Sequence, residues 1–257
     1  MKPIELWHGD CLELMKNIPD GSVDLVLTDP PYGTTACKWD SVIPFEPMWE
    51  QLNRVIKPNG AICLFGSEPF SSALRMSNIK NFKYDWYWKK KKPVNHINAP
   101  KQPMRYIETV SVFYSKQCAF NRSKKKEPIL TTSTTKNTVF GESKNNYTRL
   151  VEYDAKFDLI EFGKDGGLHP TQKPVALLEY LIRTYTNEGE TVLDFTAGSM
   201  STVIACINTN RNCIAIEKDE HYFSVGCKRV HNHILENNID LCYNQVCGGV
   251  CLWQSSK

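Results

Sequence analysis

The sequence predicts an α/β fold in which helices cover both faces of a mostly parallel sheet. Segments of strand length with the pattern of buried strands occur at residues 23–27, 61–66 and 191–194. Segments with helical periodicity or turn-forming residues separate these runs along the chain. Strands that alternate with helical patterns are typical of α/β proteins, so we expect a three-layer α/β/α sandwich.

The elements of the first half follow from their local patterns. The run at 23–27 is apolar apart from Asp24 and precedes a proline pair, which is typical of a buried strand. Residues 47–56 carry apolar side chains on one helical face, and the turn 57–60 then leads into a strand at 61–66. Residues 106–114 alternate enough to predict one more strand of the same sheet.

The second half repeats this alternation. Residues 174–185 predict a helix whose apolar face packs on the sheet. The strand at 191–194 ends in a turn of small residues, and a helical pattern resumes at 203–206. Residues 213–217 predict a further strand that ends in an acidic residue. No internal repeat is found along the chain.

The tetrapeptide Asp29-Pro30-Pro31-Tyr32 follows the first buried run, where open α/β sheets bind their ligands. The Asp29 carboxylate and the Pro30 carbonyl are able to accept hydrogen bonds from an NH₂ group, and Tyr32 offers a face for stacking. These groups fit an exocyclic amine on a planar ring. The alternative is a strand followed by a proline-rich turn, with Asp29 as a turn former.

A second motif lies at residues 191–202, where the strand gives way to the turn around Gly198. A turn of small residues lets a ligand approach the backbone and the amides of the following helix. Glu217 ends the next strand, a position that contacts ribose hydroxyls in nucleotide-binding α/β units. The turn has only one glycine and lacks G-x-G-x-x-G, so an adenosine-type cofactor is favoured over a dinucleotide.

The two motifs together resemble the amino-methylating DNA methyltransferases that use S-adenosyl-L-methionine, in the subgroup whose D-P-P-Y motif precedes the glycine motif. Residues 6–12 and 169–174 resemble further segments of that family, and the likeness covers residues 4–90, 105–115 and 168–230. The resemblance implies a Rossmann-like methyltransferase fold with an antiparallel strand in the sheet. Met200 departs from the family pattern, which usually has a second glycine there.

The resemblance also implies roles for particular residues. The catalytic residues would be Asp29, Pro30, Pro31 and Tyr32. Residues near the cofactor would be Asp10 and Cys11 at the adenine, Asp194, Thr196, Ala197, Gly198 and Ser199 at the methionine part, Glu217 at the ribose, and His169 and Lys173 at the pocket border. The alternative for Asp10 is a helix N-cap, because it precedes a short helical pattern.

The implied reaction is methyl transfer to a base that is flipped out of duplex DNA. Asp29, rather than serine, at the head of the motif resembles the adenine-N6 enzymes more than the cytosine-N4 enzymes. Cytosine-N4 transfer stays an alternative. Two further hypotheses are methylation of an amide or an RNA base, and a catalytically silent DNA-binding relative, which Met200 alone suggests.

The net charge is only +3, but the basic residues are unevenly placed. Three aromatic residues at 86–88 lead directly into a run of four lysines, a combination that fits phosphate contact beside base stacking. The predicted DNA contacts are Lys89, Lys90, Lys91, Lys92, Lys101 and Arg105. The alternative is a solvated lysine-rich loop.

Composition fits a soluble enzyme with an ample core, since 41% of the 257 residues are hydrophobic and 23% are charged. No stretch predicts a membrane span or a secretion signal, so a cytoplasmic location is the default expectation. The ten cysteines lie mostly in apolar patterns and are expected to be reduced. Cysteines and histidines recur between 227 and 251, but no C-x₂-C spacing occurs there and we predict no metal.

Under the resemblance, residues 1–115 form the catalytic half and 167–232 the cofactor-binding half of one domain. Residues 116–166 are rich in polar residues and are expected to be a target-recognition insert, with a C-terminal tail at 233–257. Double-stranded DNA is the implied partner. A homodimer and a cognate restriction endonuclease are further expectations from the family.

Overall fold

The computed structural model of the protein describes residues 4–34, 40–94, 96–122, 124–133, 147–153, 156–163, 172–240, 243–247 and 250–254. Their helices and strands follow the chain in the order β1 (Ile4–His8), α1 (Cys11–Leu14), β2 (Val23–Thr28), α2 (Phe45–Val55), β3 (Ile56–Gly66), α3 (Phe70–Ser77), β4 (Phe82–Val94), β5 (Arg105–Phe113), β6 (Lys124–Ser133), β7 (Tyr147–Tyr153), β8 (Leu159–Phe162), α4 (Val175–Tyr185), β9 (Thr191–Asp194), α5 (Ser201–Asn208), β10 (Asn212–Glu217), α6 (Glu220–Glu236), β11 (Tyr243–Cys247) and β12 (Val250–Gln254).

Ten of these strands form one sheet, in the order β12-β11-β1-β10-β9-β2-β3-β5-β4-β8. The run from β11 to β3 is parallel throughout, and β5 is antiparallel to both of its neighbours. The prediction of a mostly parallel α/β sheet with an antiparallel strand is confirmed. The strand predicted at residues 106–114 is β5, inside this sheet.

The order in which strands are added to the sheet reverses between the parallel neighbours β9 and β2. From β2 the chain continues to β3 on one side, whereas from β9 it continues to β10 on the other. Open α/β sheets have a crevice at such a switch point, outside the carboxyl ends of the two strands. The tetrapeptide after β2 and the small-residue turn after β9 therefore meet at this crevice.

Helices pack on both faces of the sheet and give the predicted three layers. One core cluster joins the sheet to α4, α5 and α6, and Leu25, Leu27 and Leu181 are fully buried in it. The other joins the sheet to α1, α2 and α3 around Val26 and Leu52. Because β2 belongs to both clusters, all six of its residues are buried, and its end lies at the crevice.

Two regions differ from the sequence-based expectation. Residues 57–60, predicted as a turn, are an irregular stretch of β3, where the register with β2 shifts. The predicted C-terminal tail contains β11 and β12, which extend the sheet beyond β1. Residues 121–157 form a separate compact unit that contains the antiparallel pair β6 and β7. The recognition role predicted for residues 116–166 stays a prediction.

Candidate active site

A cavity of about 850 Å³ opens at the crevice between β2 and β9. Both sequence motifs line it, as do residues from the ends of β1 and β10. Of the predicted site residues, the cavity wall includes Asp10, Cys11, Asp29, Pro30, Pro31, Tyr32, Lys173, Asp194, Thr196, Ala197, Gly198, Ser199 and Glu217. His169 lies outside the described residues.

Hydrogen bonds connect the two motifs directly. The Thr28 hydroxyl donates to Asp194 Oδ1 over 2.5 Å and lies 2.7 Å from the Thr196 hydroxyl. The Thr196 hydroxyl in turn lies 3.1 Å from the Asp29 carbonyl, to which it donates. Thr28 was not among the predicted site residues, although it ends β2 immediately before Asp29. Its hydroxyl fixes the separation of the two motifs across the crevice.

The Asp29 carboxylate has a different partner on each oxygen. The Tyr32 hydroxyl donates to Oδ1, and Lys173 Nζ lies 2.5 Å from Oδ2. Burial raises the pKa of the Asp29 carboxyl above its usual range, although the positive charge of Lys173 opposes this shift. Each oxygen of an ionised carboxylate has two lone pairs, so both can still accept a hydrogen bond from a ligand.

The Tyr32 ring stacks on Phe70 from α3, with ring centroids 5.1 Å apart and an angle of 28° between the planes. Burial and the nearby Asp29 charge raise the pKa of the Tyr32 hydroxyl well above its usual value, which keeps it a neutral donor. The chain after Tyr32 is held by Asp40, whose carboxylate accepts from the amides of Gly33 and Thr34 at 2.8 and 2.9 Å. These contacts fix the ring of Tyr32 at the cavity wall.

A chain of charged side chains extends from Asp29 into the sheet. Lys173 Nζ also lies 3.3 Å from Glu108 Oε2 on β5, and the other Glu108 oxygen accepts a hydrogen bond from Lys90 on β4. The side chains of Lys173, Glu108 and Lys90 are only 8%, 15% and 5% exposed. Glu108 was not among the predicted site residues, because nothing in its local sequence pattern marks it.

The placement of Lys90 corrects its predicted role as a surface contact to DNA. Side chains alternate between the two faces of a strand, so Lys90 on β4 points inward like Trp88, while Lys89 and Lys91 point outward. The pair with Glu108 occupies its ammonium inside the cavity wall. The lysine run thus contributes one residue to the site and three to the surface.

The outward basic residues lie on β4, on β5 and between them. Lys89 pairs with Glu161 on β8 over 2.9 Å, and both side chains are about half exposed. Lys91, Lys92, Lys101 and Arg105 are exposed as well, and Arg105 donates to the Ser67 hydroxyl. Their contact with DNA stays a prediction.

The small-residue turn after β9 is organised around Glu217. The Gly198 amide donates to Glu217 Oε2 and the Asp219 amide to Oε1, both over 2.7 Å. Gly198 has a φ of +51°, a conformation that glycine adopts without strain, and no atom lies within 4 Å of the position that a Cβ would take. The turn therefore leaves open space beside its backbone.

Asp194 lies at the opposite end of this turn and is almost fully buried. Besides Thr28, the Thr196 amide donates to its Oδ1 over 3.2 Å. Burial raises the pKa of the Asp194 carboxyl to about 6, since these neutral donors offset only part of the cost of burying its charge.

Met200 points away from the cavity. It is the N-cap of α5, adopts a left-handed conformation with a φ of 62°, and is fully buried. Its side chain packs against Gly226 on α6, where an added Cβ would overlap the Met200 side chain. The departure from the family's second glycine thus leaves the cavity open.

Asp10 is the N-cap of α1, which was the alternative role for this residue, and it also lines the cavity. Its carboxylate caps α1 by accepting from the Leu12 amide over 2.9 Å, and Lys218 Nζ lies 3.1 Å from its other oxygen. Burial raises the pKa of the neighbouring Cys11 thiol to about 12, so this cysteine is a neutral group at the cavity wall.

The described part of the chain offers neither a metal-ligand cluster nor a membrane span. No group of three or more histidine, cysteine or acidic side chains there is arranged to hold a metal ion. Among those same residues, no helix combines the length and apolar character needed to cross a membrane. Of the C-terminal cysteines considered as metal ligands, Cys242 lies outside the described residues.

The sequence model of the N6/N4 DNA methylase family matches residues 23–228 of this chain. The DNA adenine methyltransferase YhdJ of Escherichia coli (strain K12) is 30% identical over 246 residues, which cover 87% of this chain and 81% of the relative. The Type II methyltransferase M.HpaI of Haemophilus parainfluenzae is 26% identical over 239 residues, with 86% of this chain and 72% of the relative covered.

Solved structures show the same likeness. The complex of M1.HpyAVI with SAM superposes with a TM-score of 0.62 at 26% identity, covering 88% of this chain and 99% of that chain. The cytosine-N4-specific PvuII DNA methyltransferase gives a TM-score of 0.64 at 17% identity, covering 89% and 87%, and shares the fold. Adenine and cytosine enzymes thus both occur among the proteins that this chain resembles.

Proposed function

This chain belongs to the N6/N4 DNA methylase family, and on that basis we propose that it transfers a methyl group from S-adenosyl-L-methionine to the exocyclic N6 of adenine in duplex DNA. The observation that carries the proposal is the position of Asp29-Pro30-Pro31-Tyr32. The tetrapeptide and the glycine motif line the same cavity. The base that accepts the methyl group and the cofactor that donates it would therefore bind side by side.

Two observations indicate that the cavity can hold S-adenosyl-L-methionine. Its volume of about 850 Å³ is in the range of small-molecule sites, and the backbone at Gly198 faces open space. Asp10 and Cys11 would border the adenine, Glu217 the ribose, and Asp194 with the Thr196–Ser199 turn the methionine part. When bound, S-adenosyl-L-methionine supplies an electrophilic methyl group on a positively charged sulfur.

The residues of the tetrapeptide act on the amine of the base. The lone pair of an aromatic amine is delocalised into the ring. The nitrogen becomes positively charged as its bond to the methyl carbon forms and the bond from that carbon to sulfur breaks, and it then loses one proton to solvent. Hydrogen bonds from its N–H groups to the Asp29 carboxylate and the Pro30 carbonyl stabilise that charge. Tyr32, held against Phe70, stacks on the flipped base and keeps the amine in line for transfer.

Two features support adenine as the base. The motif begins with Asp29, as in adenine-N6 enzymes, and the relative YhdJ is named a DNA adenine methyltransferase. Cytosine-N4 transfer is the second candidate, because the PvuII enzyme has the same fold. A catalytically silent DNA-binding relative is less well supported, since the Met200 side chain is directed toward Gly226. A cognate endonuclease and a homodimer stay predictions.

The test is to incubate the protein with methyl-labelled S-adenosyl-L-methionine and unmethylated genomic DNA, and to identify labelled nucleosides by mass spectrometry. Labelled N6-methyladenine is expected. Labelled N4-methylcytosine would change the base and keep the chemistry. The absence of label in DNA, with labelled RNA or protein instead, would refute the proposal.

Asp29→Ala should lower the rate of methyl transfer by at least about 10²–10³-fold, because a transition-state hydrogen-bond acceptor is lost. Cofactor affinity, measured by calorimetry, should change little. Asp20→Ala is a matched control, since Asp20 is exposed and pairs with Arg54 outside the cavity. Retained turnover in Asp29→Ala would remove Asp29 from the mechanism.

A further inference from the structure

Asp29 is the first member of a chain of two acidic and two basic side chains, the others being Lys173, Glu108 and Lys90. Lys173 lies between the two acidic ones, with Nζ 2.5 Å from Asp29 Oδ2 and 3.3 Å from Glu108 Oε2. Lys90 pairs with the other oxygen of Glu108. The four side chains come from separate parts of the fold, the end of β2, β4, β5 and the segment before α4. Their formal charges sum to zero.

Burying such charges is costly unless every one of them is paired. Burial raises the pKa of Glu108, but the charges of Lys173 and Lys90 outweigh burial, and the net pKa is lowered. For Lys173, burial lowers the pKa, whereas Asp29 and Glu108 raise it and prevail. Both shifts favour the ionised forms of Glu108 and Lys173, so the Lys173 ammonium places a positive charge against Asp29.

We propose that Lys173 is a positioning residue, which keeps Asp29 ionised and holds its carboxylate toward the substrate amine, while Glu108 and Lys90 fix the Lys173 ammonium from behind. The inference rests on the proposed function, because it assigns a task to Asp29 in methyl transfer. It differs from the role implied by the family resemblance, in which Lys173 borders the cofactor.

The charge on Asp29 matters because a protonated carboxyl group has an O–H donor at one of the oxygens that must accept. The groups that face Asp29 are Lys173 and Tyr32, which favour its ionised form, and Glu108 and Asp194, which disfavour it. The charge of Asp40 raises the pKa of the neighbouring Tyr32 hydroxyl. Among these described groups Lys173 is the one cation, so its removal should leave a buried carboxyl that binds a proton more readily.

The test compares the pH dependence of single-turnover methyl transfer in the wild type, Lys173→Met and Glu108→Gln, between about pH 5 and about pH 9. In Lys173→Met, the acidic limb of the profile should move up by at least about one pH unit, and the rate should recover as the pH rises. In Glu108→Gln, the limb should move down, because a negative charge near Asp29 is lost. Opposite shifts are not expected from two variants that merely loosen the fold.

Lys16→Met is the matched control, because it removes a lysine from an exposed pair with Glu13, and neither residue lines the cavity. Its profile should match the wild type. Cofactor affinity, measured by calorimetry, should stay within a few-fold of the wild type in Lys173→Met. An unshifted acidic limb, or a loss of cofactor binding without a shifted limb, would overturn the proposal and return Lys173 to the cofactor pocket.

A second readout does not depend on turnover. The titration of the Asp29 carboxyl can be followed by carbon NMR of aspartate-labelled protein, with Asp29→Asn to assign the signal. The carboxyl should titrate at higher pH in Lys173→Met than in the wild type, and an unchanged titration would overturn the proposal. If the wild type transferred no methyl group, but the Asp29 carboxyl still titrated at higher pH in Lys173→Met than in the wild type, the proposed function alone would be refuted.

Discussion

Asp29 follows β2 and Asp194 ends the neighbouring strand β9. Both face the same cavity, but the protein holds their carboxylates in different ways. We call the residues Asp29, Tyr32, Lys90, Glu108 and Lys173 the base side, and the residues Asp194, Thr196, Gly198 and Glu217 the cofactor side. On the base side, lysines pair with both carboxylates. On the cofactor side, hydroxyl and amide groups donate to both.

The difference matches the charges of the proposed ligands. Adenine is neutral, and the base side has already balanced its own charges. S-adenosyl-L-methionine has a net positive charge, because its sulfonium and ammonium groups outnumber its one carboxylate, and the cofactor side keeps negative charge that neutral donors do not cancel. Burial raises the pKa of both cofactor-side carboxyls, as it does for Asp29, but only hydrogen bonds oppose the shift on the cofactor side, whereas the Lys173 charge opposes it at Asp29.

The largest effect on cofactor binding is expected when the charge of Asp194 is removed and its shape is kept. Asp194→Asn retains an oxygen that accepts from Thr28, but it should weaken cofactor binding by about 10–100-fold, because hydrogen bonds to a charged group contribute about 1.5–3 kcal/mol. The methyl-transfer rate at saturating cofactor should change much less. Calorimetry and single-turnover kinetics measure the two effects.

Asp29→Ala is expected to give the reverse pattern, with lost transfer and retained cofactor affinity. If Asp194→Asn and Asp29→Ala affected binding and rate alike, the two sides of the cavity would not have separate tasks. Asp20→Ala, at an exposed position, controls for a general effect of losing an aspartate.

Although Asp194→Asn should weaken cofactor binding, it should raise the free energy of unfolding. The folded pKa of Asp194 is about 6, above its ordinary value of 3.8, so the folded state binds a proton more readily than the unfolded state. The group therefore destabilises the fold increasingly as pH rises from about 4 to about 6, by up to about 3 kcal/mol in all. Asp194→Asn should be more stable than wild type at pH 7.

Urea unfolding without cofactor, at about pH 4.5 and at pH 7, would measure this difference. The stability gap between Asp194→Asn and the wild type should widen at the higher pH. A gap of the same size at both pH values would show that the Asp194 charge carries no folding cost, and the contrast in how the two carboxylates are held would lose its energetic basis.

Sequence patterns predicted the cofactor side more completely than the base side. The strand, the turn around Gly198 and Glu217 at the end of the next strand are local features, and local sequence records them. Asp29 and Tyr32 were found in the same way. Glu108 and Lys90 acquire their meaning only when β5 and β4 pair within the sheet, and this pairing joins residues that are distant in sequence.

Lys90 shows the limit of composition as a guide. In the sequence it is one of four consecutive lysines, and charge alone assigns all four to a surface. Alternation along β4 turns Lys90 inward after Trp86 and Trp88, but that argument requires knowing that β4 continues into the lysine run. Met200 illustrates a similar limit, since the direction of its side chain depends on the distant Gly226.

Met200→Gly tests how packing shapes the cofactor side. A non-glycine residue in the left-handed conformation costs about 1–2 kcal/mol, whereas deleting a buried methionine side chain costs about 2–5 kcal/mol. The variant should therefore be less stable by about 1–3 kcal/mol in urea unfolding. Cofactor affinity should stay the same, because the side chain packs against Gly226 rather than the cavity. A large change in affinity would contradict this placement.

Gly226→Ala provides the matching control, because its Cβ would overlap Met200. Alone it should destabilise the fold. Combined with Met200→Gly, it should cost less than the sum of the two single changes, since the contact between them is gone. Additive effects would show that the two residues do not pack on each other.

The smallest expected effect is on DNA binding, and it distinguishes the exposed lysines of β4 from Lys90 on the base side. Replacing Lys89, Lys91 and Lys92 with alanine should weaken DNA binding about tenfold and lower the magnitude of the salt slope by up to about three, if each contacts one phosphate. Lys90→Met is the internal control, since Lys90 is buried against Glu108; it should leave the slope unchanged and slow methyl transfer instead. Binding titrations at several salt concentrations measure both slopes. If Lys90→Met flattened the slope as much as the triple variant, Lys90 would leave Glu108 on binding DNA, and the base side would not be self-neutralised in the complex.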